Sequence, residues 1–313
     1  MVFKRVTRFA PTPSGGLHFG SLVAALASYL FCKAEASGQT GGVWKLRFDD
    51  LDSLRNQPGA TSLIWSQLES YGLYWDEEPI FQSQHIEEYR QAILDLCKKN
   101  LLFWCSCSRA KLDRSGAKRN ECGERVYLGT CRNNRVTEVD AWAVMKQNHK
   151  GPSGKSMRLL VDDLRRFSEF LDGCQGLQKA DIAAEWGSPL LFRADGIFSH
   201  YLANVVDDVR ENVTHVVRGA DLLGTTHVHR LVHQELYNDS PPEYLHVPLA
   251  LDENGEKLSK SASAAFLPLG KNEVILTLNQ ALRHLGQAEV TDAASPVELV
   301  QRAAENFKCR RRK

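Results

Sequence analysis

Three stretches of the 313-residue chain carry side chains whose types and spacing can do chemistry. The first is Arg8-Phe-Ala-Pro-Thr-Pro-Ser-Gly-Gly-Leu-His-Phe-Gly-Ser21, at the change from an apolar strand pattern to a helical one. A helix N-terminus presents unpaired N–H groups and the positive end of its dipole, which suits a nucleotide phosphate. Gly15, Gly16 and Gly20 clear side chains from the approach, Pro11 and Pro13 stiffen the turn, and His18 stands at the helix start. The second stretch, Lys257-Leu-Ser-Lys-Ser261, follows Gly255 in a polar loop and on its own reads as a solvated pair of charges. The third holds Cys105 and Cys107, two apart, with Cys122, Tyr127 and Cys131 behind them. Closely spaced cysteines in a weakly periodic segment fit a structural zinc site, because four ligands replace a core that the segment cannot build. On donor chemistry alone Cys122 is the fourth ligand of choice, since a thiolate binds zinc better than a phenol.

The elements that must position these residues alternate between strand and helix. A strand is expected over 2–9, a helix from 18 until Gly38, a strand over 43–49, and helices over 60–71 and 86–99. Strand–helix–strand with a glycine-rich first turn opens a parallel α/β sheet. Residues 105–135 break the rhythm and read as an insertion. The alternation resumes with a strand over 189–193, a helix over 200–209, a strand over 213–217 and a helix over 226–237. An apolar run over 245–251, the lysine loop and a helical tail follow. Composition agrees: 43% hydrophobic and 25% charged residues describe an ordinary globular chain rather than a fibrous or disordered one. A net charge of +1 excludes binding to nucleic acid through bulk charge but allows a local basic face. No long apolar run predicts a membrane span, and no signal-peptide core is read at the N-terminus, so the expected location is the cytoplasm. There the cysteines are thiols or metal ligands, with Cys32 and Cys97 as core residues and Cys174 and Cys309 scattered. The basic run 308–313 reads as a solvated end.

Taken together, His18-Phe-Gly-Ser21 and Lys257-Leu-Ser-Lys-Ser261 resemble the two signature motifs of class I aminoacyl-tRNA synthetases. The longer strings Arg8–Ser21, Lys45-Leu-Arg-Phe-Asp-Asp-Leu-Asp52, Ala203-Asn-Val-Val-Asp-Asp208 and Val216-Val-Arg-Gly-Ala-Asp221 look like the glutamyl/glutaminyl branch. Only 52 residues follow Ser261, too few for an anticodon-binding region. A core of this kind resembles the glutamyl-queuosine tRNA(Asp) synthetase family, whose pattern His-Phe-Gly-Ser followed by Leu-Val-Ala-Ala-Leu it matches well. The resemblance implies an α/β fold: a split Rossmann-type parallel sheet with an inserted zinc-binding subdomain and a short helical C-terminal region. The halves of the sheet are expected at 1–104 and 189–250, the insertion at 105–188, and the lysine loop with its helical tail at 251–313.

What the resemblance implies for chemistry is specific. His18, Gly20 and Lys260 would be catalytic, and with Lys257 they would hold ATP, which arrives with Mg²⁺. Arg8, Phe9, Ala10, Pro11, Thr12, Asp49, His200 and Arg218 would surround glutamate. The family's zinc site uses a tyrosine followed four residues later by a cysteine, so it implies Cys105, Cys107, Tyr127 and Cys131 as ligands of one structural zinc. Two positions depart from the family pattern: Asp49 replaces a glutamate in the Arg47-Phe-Asp-Asp50 string, and His200 replaces a tyrosine. Both fall in the amino-acid site. The implied reaction is glutamate activation without tRNA and transfer to the queuosine base of tRNA(Asp), through its anticodon stem-loop, by a monomer. A synthetase-like ligase for another amino acid or acceptor is the alternative, and a non-enzymatic tRNA-binding relic is a third reading.

Overall fold

A computed structural model describes residues 4–34, 41–146, 154–250 and 266–308. The lysine loop with Lys257 and Lys260, and Cys309 in the basic tail, lie outside the described residues. Strand β1 (Val6–Phe9) leads through the glycine-rich turn into helix α1 (Phe19–Lys33), and β2 (Val43–Phe48) returns parallel to β1, with Arg8 beside Lys45. Helix α2 (Ala60–Ser70) and the short β3 (Ile80–Phe81) follow, β3 parallel to β2. After α3 (Ile86–Lys98) the chain enters the insertion: β4 (Leu102–Cys105), α4 (Arg109–Arg114), α5 (Glu138–Lys146), β5 (Ser156–Leu159), β6 (Phe167–Asp172), β7 (Gly176–Asp181) and α6 (Ile182–Glu185). Then come β8 (Leu190–Phe192), α7 (His200–Arg210), β9 (His215–Gly219), α8 (Thr225–Leu236), β10 (Glu243–Val247), α9 (Lys271–His284) and α10 (Pro296–Glu305).

Residues far apart in sequence complete the parallel layer. β9 and β10 pair in parallel, and β9 lies beside β1. The seam is closed by Thr214, whose N–H donates to the Val6 carbonyl and whose Oγ1 accepts from the Val6 N–H, each at 2.9 Å. Alternation along β1 and β2 sends Phe9, Trp44, Leu46 and Phe48 into a core shared with α1, α9 and α10. Trp44 is fully buried there, and its indole N–H is satisfied by Ser28 Oγ at 2.9 Å. A second core gathers α3, α5, α7 and α8 against the antiparallel sheet β4-β5-β8. β8 thus belongs to that sheet, and β9 and β10 are the strands that extend the parallel layer.

Strands β9 and β10 start two residues to either side of the expected 213 and 245, because their register couples Glu243 to His215 and Val247 to Gly219. No element is expected between 136 and 188 from the sequence pattern. The structure has α5, β5 and the hairpin β6–β7 there, and Gly173 in the hairpin turn donates its N–H to the Tyr244 carbonyl of β10 at 2.8 Å. Among the described residues no helix is long and apolar enough to cross a membrane.

Candidate active site and metal centre

Helix α1 begins with His18 as an extended N-cap residue (φ −106°, ψ 172°) and with no acid in its first turn. The first carbonyl to be satisfied is that of His18, by Leu22 N–H at 3.0 Å. Among the described residues the N–H groups of Phe19, Gly20 and Ser21 have no acceptor, and with the dipole's positive end they suit an anion. A Cβ at Gly16 would lie 2.9 Å from Leu63 Cδ2 and 3.0 Å from Phe266 Cδ1, so those side chains would have to shift to admit one. At Gly20 a Cβ would meet nothing among the described residues within 4 Å, so their packing does not account for that glycine.

Both flanks of the lysine loop meet this helix start. Ala250 borders the same cleft, Phe266 stacks on His18 at 5.2 Å between ring centroids, and Leu267 N–H donates to the Leu17 carbonyl at 2.9 Å.

The cleft, of about 400 Å³, brings together residues 8–12, His18, Gly20, Asp49 and Arg218, along with Asn204 and Asp221. Behind it lies a buried ionic network. Arg8 meets Asp208 through two hydrogen bonds of 2.9 and 3.2 Å. Arg47, with no exposure, donates to Asp49 at 2.9 Å, to Asp208 at 2.8 Å and to Glu211 at 3.3 Å. Asp207 accepts from Tyr89 and Gln82. Charges buried this deeply persist only when paired and hydrogen-bonded. Burial pushes the Asp49 carboxyl up to about 6 even though Arg47 pulls the other way. Burial, with Arg8 nearby, brings Arg218 down to about 10, still charged at neutral pH.

His200 lines an adjoining cleft of about 690 Å³, which Thr12 and Asp49 also border. Its ring lies against Tyr201 and His229, although the residue is exposed toward the cleft. The sequence-derived set therefore divides: residues 8–12, His18, Gly20, Asp49 and Arg218 share one cleft, His200 stands at its neighbour, and Lys257 and Lys260 lie outside the described residues.

In the insertion, the thiols of Cys105, Cys107 and Cys131 lie within 4.8 Å of one another, with Cys107 and Cys131 Sγ 3.8 Å apart. Tetrahedral thiolate ligation at about 2.3 Å puts sulfurs about 3.8 Å apart, so the spacing suits zinc. The Tyr127 hydroxyl is at the same point, accepting from Cys131 N–H at 2.6 Å. Gly187 fixes this tyrosine's backbone: a Cβ there would fall 1.9 Å from the Tyr127 carbonyl oxygen, and Tyr127 N–H donates to Trp186 at 3.1 Å. Burial, then the neighbouring Cys105 thiol, raises Cys107 to about 11. Burial opposes ionisation of Cys131, but hydrogen bonds to Tyr127 and its neighbours outweigh it and lower that thiol, so a cation is needed chiefly to ionise Cys107. Cys122 is outside the group; its Sγ packs near Gly224 and Trp186. The preference for Cys122 on donor chemistry alone is thus overturned by position, because the chain between 107 and 131 carries Cys122 to the second core.

Residues 4–282 match the family model for the catalytic domain of class I tRNA synthetases (E and Q). The chain belongs to the glutamyl-Q tRNA(Asp) synthetase family. It is 40% identical to the glutamyl-Q tRNA(Asp) synthetase of Synechococcus sp. over 286 residues, covering 91% of this chain and 88% of that protein. It is also 40% identical to the Ectopseudomonas mendocina glutamyl-Q tRNA(Asp) synthetase over 304 residues, covering 96% and 92% respectively. Among solved structures, a glutamate tRNA ligase from Elizabethkingia meningosepticum in complex with its amino acid shares the fold, with a TM-score of 0.74 at 22% identity. This chain is covered to 98% and spans only 65% of that longer one. Membership in this synthetase family makes the chain a ligase with a glutamate–tRNA-ligase-like function.

Sequence reasoning overlooked the support behind the site. The acid pair Asp207-Asp208 on the buried face of α7 was a visible signal, because acids on an apolar face need cations. His246 within the apolar strand β10, and Asp172 opposite it, gave no such signal.

Proposed function

We propose that this chain activates glutamate with ATP to glutamyl-adenylate, without needing tRNA, and transfers it to the queuosine base at the wobble position of tRNA(Asp). The observation that carries the reading is one cleft with a helix N-terminus at one side and Arg8, Arg218 and Asp49 at the other. Two guanidinium groups suit the two carboxylates of glutamate, and Asp49 suits its ammonium. The name of the relatives, glutamyl-Q tRNA(Asp) synthetase, supports the acceptor.

Adenylate formation needs no protein nucleophile. The substrate carboxylate attacks the α-phosphorus of ATP and pyrophosphate leaves, so catalysis rests on alignment and on neutralising developing negative charge. His18 and the first turn of α1 would hold the triphosphate. Gly20 lets it approach the backbone, and Lys260 and Lys257 would steady the departing pyrophosphate. Mg²⁺ would travel with ATP, held mainly by phosphate oxygens. The adjoining cleft shares Thr12 and Asp49 with the amino-acid site, and an acceptor would enter through it. There a hydroxyl of the queuosine cyclopentene ring would attack the adenylate carbonyl and release AMP. Cys105, Cys107, Tyr127 and Cys131 would hold one structural zinc that orders the insertion.

A second reading, activation of another amino acid, is favoured by one feature: Asp49 is a methylene shorter than the family's glutamate. ATP–pyrophosphate exchange with a panel of amino acids tests both readings. Exchange with glutamate is expected. Exchange only with another amino acid would support the second reading, and none at all would remove the chain from adenylate chemistry.

A further inference from the structure

Arg218 is held by groups that belong to no sequence motif. Its Nε–H donates to His246 Nε2 at 3.0 Å, and Nη2 donates to Thr226 Oγ1 at 2.8 Å, and to Thr225 Oγ1 and the Leu222 carbonyl at 3.1 Å each. No partner among the described residues engages Nη1, although Arg218 is 8% exposed and borders the 400 Å³ cleft. The Nε–H and both Nη2 N–H groups are thus held from behind, leaving the two N–H groups of Nη1 for a ligand.

His246 is positioned in turn. Its Nδ1 lies 2.6 Å from Asp172 Oδ2, and neither side chain has any exposure. Asp172 Oδ1 accepts from the N–H groups of Cys174 and Gln175 in its own hairpin turn, at 2.9 and 2.8 Å, and from His246 N–H at 3.2 Å. Gln175 Nε2 donates to the His246 carbonyl at 2.7 Å. Burial opposes ionisation of Asp172, but its bonds to His246 and the backbone outweigh that and hold the carboxyl below its usual range. Burial lowers His246 to about 4 despite Asp172, so the ring is neutral. A neutral ring has one N–H. The carboxylate takes it at Nδ1, which leaves the Nε2 lone pair for Arg218, a donor that has no lone pair to offer.

We propose that Asp172 and His246 are positioning residues for the amino-acid site: the turn of the β6–β7 hairpin, through Asp172, fixes His246 as the Nδ1–H tautomer, and His246 aims Arg218 Nη1 into the cleft. This rests on the glutamate-activation reading and deepens it, because it makes amino-acid affinity depend on a hairpin in the insertion. A misaimed Arg218 loses its hold on a substrate carboxylate and leaves the ATP side, at the start of α1, untouched.

Pyrophosphate exchange on the full chain tests the proposal with His246→Leu, which removes the acceptor, and His246→Gln, whose Oε1 can replace Nε2. His246→Leu is expected to raise KM for glutamate by about tenfold or more, as loss of a charge-assisted hydrogen bond does. KM for ATP should stay within about twofold, and His246→Gln should recover most of the loss. Asp172→Asn should give the same KM pattern more weakly. A merely structural role would lower the active fraction, and so kcat, at unchanged KM. Unchanged KM for glutamate in folded His246→Leu, or equal defects in Leu and Gln, would overturn the proposal while leaving the function reading intact. No glutamate exchange in the unsubstituted protein would instead overturn the function reading and this role with it.

Discussion

Substituting Gly20 by alanine separates a ligand-driven glycine from a packing-driven one. A Cβ at this position meets no heavy atom of the described residues within 4 Å, and Gly20 is the second residue of α1. With no clash to relieve, Gly20→Ala gains helix propensity, worth at most about 0.5–1 kcal/mol. For a chain of this size that is a rise in Tm of about 1–3 °C. If a nucleotide lies against the backbone here, the added methyl overpacks the complex by about 1–3 kcal/mol. KM for ATP in pyrophosphate exchange should then rise by about 5- to 150-fold. KM for glutamate should change little, because Arg8, Asp49 and Arg218 are untouched. Thermal unfolding and exchange kinetics on the same preparation read both effects. A variant that is as stable or more stable yet binds ATP normally would refute a nucleotide at this helix start.

Three further outcomes are expected. The Asp49 carboxyl is pushed up to about 6, so it is ionised above that pH and neutral below. KM for glutamate should be flat above pH 7 and rise by about tenfold for each pH unit below 6, and a flat profile down to pH 5 would exclude Asp49 as the ammonium's partner. Metal analysis should find about one zinc per chain; Cys107→Ser should lose it and Cys122→Ser retain it, since only Cys107 lies in the thiol group, and the reverse ranking would place the site elsewhere. Lys260→Ala should fold normally and slow exchange by roughly two to three orders of magnitude, whereas near-normal exchange would remove this lysine from the mechanism.

The parts of the molecule legible in the sequence were those with local rules. Glycine and proline spacing marked the turn after β1, and helical periodicity marked α1, with Leu22, Leu26 and Leu30 fully buried. The same rules reached Cys105 and Cys107, because two cysteines a residue apart in a weakly periodic segment have few other uses. They failed where tertiary position decides. Cys122 and Tyr127 are five residues apart, yet only the Tyr127 hydroxyl reaches the thiol group while Cys122 packs near Gly224. Likewise Asp172 and His246 are 74 positions apart, and only the docking of the hairpin turn on β10 brings them to 2.6 Å. Arg47 stood in plain view beside Asp49, but its burial among four carboxylates depends on α7 arriving from the other half of the sheet.

The account stands or falls on the acceptor. Labelled glutamate, offered with ATP and the full chain, should be transferred to an isolated anticodon stem-loop of tRNA(Asp) that carries queuosine, and not to the same stem-loop carrying guanosine. Transfer to the 3′-terminal adenosine of a tRNA, with none to the queuosine stem-loop, would contradict it and make this chain a conventional aminoacylating core.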